Sequence, residues 1–86
     1  MITTSLTLGE LAALMKQAAG VTVDAGKLEE APDTPFATLG LDSLGLLGIV
    51  GELENKYSVA LPTDAERCKT PAEFLGLVNN ALRTGV

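Results

Sequence analysis

The chain has 86 residues, room for one small domain and no second core. Apolar residues make up 47%, but with two Phe, one Tyr and no Trp the core must come from Leu, Val, Ile and Ala, which favours helix-on-helix packing. Eleven acids against six bases give a net charge of -5, which opposes nucleic acid or an anionic membrane surface and suits a basic protein partner.

Two scarcities narrow the chemistry. There is no histidine, the commonest general base and zinc ligand, and only one cysteine, Cys68. A hydrolytic triad, a zinc centre, an internal disulfide and a redox pair are excluded, and no metal is expected. The first basic residue is Lys16, so the start lacks the positive region of a signal peptide. The longest uncharged apolar stretch, Leu44 to Gly51, is far below the roughly 18 residues that span a bilayer. A soluble, cytoplasmic monomer is expected.

Thr7-Leu8-Gly9-Glu10 fits a capping box, in which the Thr hydroxyl and the Glu carboxylate satisfy each other's backbone amides. Leu8, Leu11, Leu14, Met15 and Ala18 follow at helical spacing and Gly20 ends them, predicting a first helix near 7–19. Residues 20–41 read as a long irregular loop broken by Gly26, Pro32, Pro35 and Gly40. Leu28, Phe36, Leu39 and Leu41 are expected to pin it against the helices.

A second helix is predicted over 42–57, with Asp42 as cap and Leu46, Ile49, Val50, Leu53 and Tyr57 on its core face. Thr63-Asp64-Ala65-Glu66 is another box-like start and suggests a short helix over 63–68, anchored by Cys68 as a packing residue. Thr70-Pro71-Ala72-Glu73 places a cap, a first-position proline and a capping Glu at the head of a last helix over 70–83. Phe74, Leu75, Val78, Ala81 and Leu82 supply its apolar face, and the final residues read as a free tail. The expected fold is all-α: a small four-helix bundle of three main helices and one short one, with a long first loop, forming a single domain over 1–86.

Ser43 is the residue to weigh. Its hydroxyl stands at the predicted start of the second helix, near exposed amides where an attached phosphate is favoured by about 0.3–1 kcal/mol. Taken by itself, the common tripeptide Asp42-Ser43-Leu44 favours the ordinary reading, a polar first-turn residue beside its cap. A nucleophile elbow is excluded: the glycines read Gly-x-x-Ser-x-Gly, no strand precedes them, and no histidine takes the proton. If Ser43 reacts, another enzyme activates it.

Leu39-Gly40-Leu41-Asp42-Ser43-Leu44, followed by Leu53-Glu54, Tyr57-Ser58-Val59, Leu61-Pro62 and Thr70-Pro71-Ala72-Glu73-Phe74, resembles the acyl carrier proteins. Within that family, Thr70 to Leu82 is most similar to the free-standing carriers of bacterial type II aromatic polyketide synthases. The resemblance runs from the first helix to Leu82. It implies 4′-phosphopantetheine on Ser43, with Asp42 completing the motif, delivered from coenzyme A by a magnesium-dependent phosphopantetheinyl transferase. It further implies malonyl and growing polyketide chains held as thioesters, and no catalytic residue in the chain itself. The implied partners are a ketosynthase with its chain-length factor and a malonyl transferase, with a ketoreductase or cyclase as further candidates. A fatty acid synthase carrier is the nearest alternative; peptidyl and D-alanyl carriers fit the serine motif and acidic balance less well. A small helical adaptor without prosthetic group is the alternative from another class.

On a helical wheel Leu44, Gly48, Gly51 and Asn55 lie opposite Leu53, flanked by Gly45, Glu52, Leu47 and Glu54. Three glycines cost this helix roughly 2–3 kcal/mol relative to alanine. One reading is that partners approach the bare backbone of Gly48 and Gly51 closely, with Leu44 and Leu47 as apolar anchors and Glu52 and Glu54 as rim charges; the other is that the glycines are merely tolerated. Asn79 falls at the edge of the last helix's apolar face, where it either meets a polar polyketide chain or sits at a solvated margin.

Overall fold

The computed structural model describes residues 5–84. Thr7 opens α1 (Leu8–Ala19) as the sequence predicts: its Oγ1 accepts from the Glu10 amide at 3.1 Å, and Glu10 Oε1 accepts from the Thr7 amide at 3.3 Å. Gly20, at φ 69°, turns the chain left-handed, and the Val21 amide reaches the Met15 carbonyl at 2.9 Å. Leu11, Ala12, Leu14 and Met15 are buried along one face.

The segment expected to be irregular holds a further short helix, α2 (Ala25–Glu30). Asp24 caps it by accepting from the Gly26 amide at 3.0 Å, so Gly26 lies inside the first turn rather than breaking the element. Only Leu28 of its six residues is buried, which leaves no helical periodicity to read. Phe36 and Leu41 are buried as expected, and Leu39 is half-buried.

The predicted second helix is α3 (Ser43–Tyr57), capped by Asp42. Leu46, Ile49, Val50 and Leu53 form its buried face, and Tyr57 is half-buried. Thr63–Arg67 is a single 3₁₀ turn with no side-chain cap, so the box expected at Thr63 is not formed. Its anchor is Ala65, fully buried; Cys68 is half-buried at the turn's end, its Sγ 3.6 Å from the Asp64 carbonyl.

Helix α4 (Pro71–Thr84) begins with Thr70 Oγ1 accepting from the Glu73 amide at 3.2 Å. Glu73 reaches one residue further back than a simple box requires, accepting from the Lys69 amide at 2.9 Å. The free tail expected beyond α4 lies outside the described residues.

Helix α1 packs against both α2 and α3, and Leu11, Met15, Ile49, Leu53, Phe74 and Val78 meet in one core. The long loop is tied to the head of α4 by Phe36 N–H to Lys69 O at 2.8 Å and Ala72 N–H to Pro32 O at 2.9 Å. Phe36 and Phe74 cross edge to face, centroids 6.1 Å apart. The result is an all-helical bundle, with no strand among the described residues.

Candidate functional site

Ser43 is the first residue of α3 and its side chain is exposed. Asp42 explains its presentation. The Asp42 Oδ1 accepts from the Gly45 amide at 2.7 Å, and its carbonyl accepts from the Leu46 amide at 3.0 Å. The amides of Ser43 and Leu44 are left open at the positive end of a 15-residue helix. The Ser43 hydroxyl makes no hydrogen bond to another described residue.

Beside it lies a cleft of about 430 Å³ between the loop, the start of α3 and the 3₁₀ turn. Phe36, Leu41 and Leu46 give it an apolar floor, and Ser43 stands among its walls. A larger groove of about 620 Å³ lies between α2 and residues 34–39, and Ser43 is not part of it. The site suits a group attached by phosphate: a free hydroxyl, open helix amides and a partly apolar cleft to receive an arm.

The outward face of α3 carries five of the six residues expected there without further engagement. Leu44 is 75% and Leu47 44% exposed, the two large apolar side chains that the described surface leaves in water. Gly48 and Gly51 are exposed beside them, and so is Glu52. A Cβ on Gly51 would meet nothing within 4 Å, and one on Gly48 only the Ala18 carbonyl oxygen at 3.5 Å.

Two residues of that wheel do other work. A Cβ on Gly45 would lie 2.7 Å from Leu41 Cδ1 and 3.0 Å from Ala19 Cβ, so this glycine permits contact with α1 rather than with an outside partner. Glu54 is half-buried, and its Oε2 accepts from the Leu61 amide at 2.8 Å, bracing the loop after α3. Asn79 is committed as well: Oδ1 accepts from the Leu6 amide at 2.5 Å and Nδ2 donates to the Leu6 carbonyl at 3.1 Å. It faces the chain's own N-terminal segment, not a solvated margin. No sequence signal marks that pairing.

Among the described residues no three His, Cys, Asp or Glu side chains gather in a metal-binding group, and no helix is long and apolar enough to cross a membrane. Burial pushes the Cys68 thiol above its ordinary pKa, and the charges of Glu73 and then Asp64 push the same way. A thiol so placed is a poor nucleophile at neutral pH.

Comparison with known proteins agrees with this geometry. Residues 10–78 match the family described as the phosphopantetheine attachment site. A probable acyl carrier protein of Streptomyces coelicolor is 63% identical over 81 residues, covering 94% of this chain and 90% of the relative. The curamycin polyketide synthase acyl carrier protein of Streptomyces cyaneus is 58% identical, covering 95% of this chain and 93% of that one. The solved structure of the actinorhodin apo acyl carrier protein from S. coelicolor superposes with a TM-score of 0.80 at 34% identity, over 99% of this chain and 100% of that one. The chain therefore belongs to the acyl carrier proteins, the phosphopantetheine-bearing family, and to the type that serves type II polyketide synthases.

Proposed function

We propose that Ser43 is the residue that takes the 4′-phosphopantetheine, and that the protein carries malonyl and growing polyketide chains without catalysing any step itself. The observation that carries this is the exposed, unpartnered Ser43 hydroxyl at the head of α3, beside open amides and the cleft. In the attachment step the Ser43 oxygen forms a bond to the phosphorus that bears pantetheine in coenzyme A. The pyrophosphate bond breaks, adenosine 3′,5′-bisphosphate leaves with the electron pair, and the hydroxyl proton passes to the transferase. When bound, the group supplies a thiol that holds acyl chains as thioesters, and its tether raises their local concentration at a docked enzyme. Asp42 holds the helix start in place while Ser43 reacts.

Docking falls to the outward face of α3. Leu44 and Leu47 are the apolar anchors, Gly48 and Gly51 let a partner come close, and Glu52 pairs with basic side chains. Glu54 adds negative charge at the edge while its bond to Leu61 keeps it in position. The partners that fit are a phosphopantetheinyl transferase, a ketosynthase with its chain-length factor and a malonyl transferase, with tailoring enzymes such as a ketoreductase or cyclase following. A cytoplasmic monomer suits this exchange.

Intact mass after incubation with coenzyme A, magnesium and a broad-specificity phosphopantetheinyl transferase tests the assignment. The wild type gains one phosphopantetheine; Ser43→Ala, folded by circular dichroism, gains none. A folded wild type that stays unmodified, or a Ser43→Ala that is still modified, overturns it.

A further inference from the structure

The cleft beside Ser43 has a charge pattern that the carrier role leaves unexplained. The chain has six bases and a net charge of -5, and two of those bases, Arg67 and Lys69, open on this one cleft. Neither head group makes an ion pair or hydrogen bond to another described residue; the ion pair among those residues joins Lys56 to Glu10 at 3.5 Å. Two cations with no ion pair, on the wall of the cleft that Ser43 shares, can receive an anion from outside.

Their placement is built into the backbone. The Lys69 amide donates to Glu73 Oε1 at 2.9 Å, and its carbonyl accepts from Phe36 N–H at 2.8 Å, which fixes the root of the side chain at the cleft wall. Arg67 ends the 3₁₀ turn on the same wall. The cleft also carries two acids. Asp42 gives one oxygen to the Gly45 amide, and Glu66 is half-buried.

We propose that Arg67 and Lys69 form a cationic clamp for the phosphodiester of an arm attached at Ser43, so that the pantetheine lies along the Phe36–Leu46 floor instead of swinging free. This rests on Ser43 being the attachment residue. A phosphodiester keeps its negative charge throughout the physiological range, and a guanidinium fork can hold two of its oxygens at once while an ammonium adds a point charge. Both head groups are solvated, so the clamp is weak and salt-sensitive, which lets a docking enzyme draw the arm out. Arg67 and Lys69 are therefore positioning residues.

The test uses holo protein whose added mass is verified first, followed by proton and ³¹P NMR. In the wild type, contacts are expected from the pantetheine methyl groups to Phe36 and Leu46. They should weaken several-fold as ionic strength rises from about 0.1 to about 1 M, where the Debye length falls from about 10 to about 3 Å. The ³¹P resonance should move towards that of a free phosphodiester. R67Q/K69Q should lose the contacts at low salt, R67K should retain most of them, and K16Q/K27Q, an equal charge change away from this cleft, should leave them intact. Holo protein without these contacts, or with contacts indifferent to both salt and R67Q/K69Q, overturns the clamp while attachment at Ser43 stands. Failure to gain the mass overturns the attachment and the clamp together.

Discussion

Asn79 on α4 holds the backbone of Leu6 with both of its polar atoms, the Leu6 amide at 2.5 Å and the Leu6 carbonyl at 3.1 Å, across 73 residues of sequence. Leu6 is itself buried, so the pair fastens the N-terminal segment over the core. Asn79→Ala should lower the urea midpoint by the equivalent of about 1–3 kcal/mol, the cost of two lost bonds and a partly buried backbone left unpaired. Asn79→Asp should also destabilise, because a carboxylate still accepts from the amide but repels the carbonyl. Amide exchange at Leu6 reports the release directly; unaltered protection in Asn79→Ala would show that the pairing does not hold this segment.

The three glycines of α3 should separate by sign. Gly51→Ala meets open space and should stabilise the fold by about 0.5–1 kcal/mol, with Gly48→Ala close behind. Gly45→Ala gains the same helix propensity but drives its Cβ against buried Leu41 and against Ala19, whose Cβ has no rotamer to retreat into. Overpacking of this kind costs about 1–3 kcal/mol, so a net loss is expected. Thermal midpoints of the three variants are the measurement.

Glu52 and Glu54 should part company in the same way. Glu52→Ala, at an exposed position, should leave the midpoint unchanged and slow acyl transfer from a partner, an effect that fades at high salt. Glu54→Ala also removes the acceptor of the Leu61 amide and should destabilise by about 1 kcal/mol. Leu44→Ala should leave the fold intact, its side chain being 75% exposed, and reduce transfer more than Glu52→Ala does.

Alkaline pH should weaken the fold through two groups. Burial raises the Cys68 thiol, with Glu73 and Asp64 adding to it. Burial also raises the Tyr57 phenol, and Glu10, which accepts its hydrogen bond at 3.3 Å, adds to it against the opposing charge of Lys56. Each contributes stability that is complete below its unfolded pKa and is lost as pH rises through the folded one. The urea midpoint should stay level through neutrality, fall above about pH 8.5 and fall again above about pH 10. Cys68→Ser should abolish the first decline. In holo protein at neutral pH, iodoacetamide should modify the arm's thiol before Cys68.

Much of this molecule could be read from its chain because the relevant bonds are local. Thr7 with Glu10, Asp42 with Gly45 and Thr70 with Glu73 each close over three residues, so the starts of α1, α3 and α4, and the exposure of Ser43 at one of them, follow from neighbouring residue types. The buried stripe of α3 follows from helical spacing for the same reason. Helix α2 escaped because a six-residue element with one buried side chain has no period, and Thr63 failed as a cap because the chain there closes a 3₁₀ turn around Ala65. A helical wheel orders side chains around an axis but does not say which neighbour each one meets. Packing against α1 turned Gly45 inward, the path of the loop to Leu61 claimed Glu54, and the closeness of the N-terminal segment to α4 claimed Asn79. Those three are settled by distances through space between segments far apart or bent back in the chain, and only the assembled bundle sets such distances.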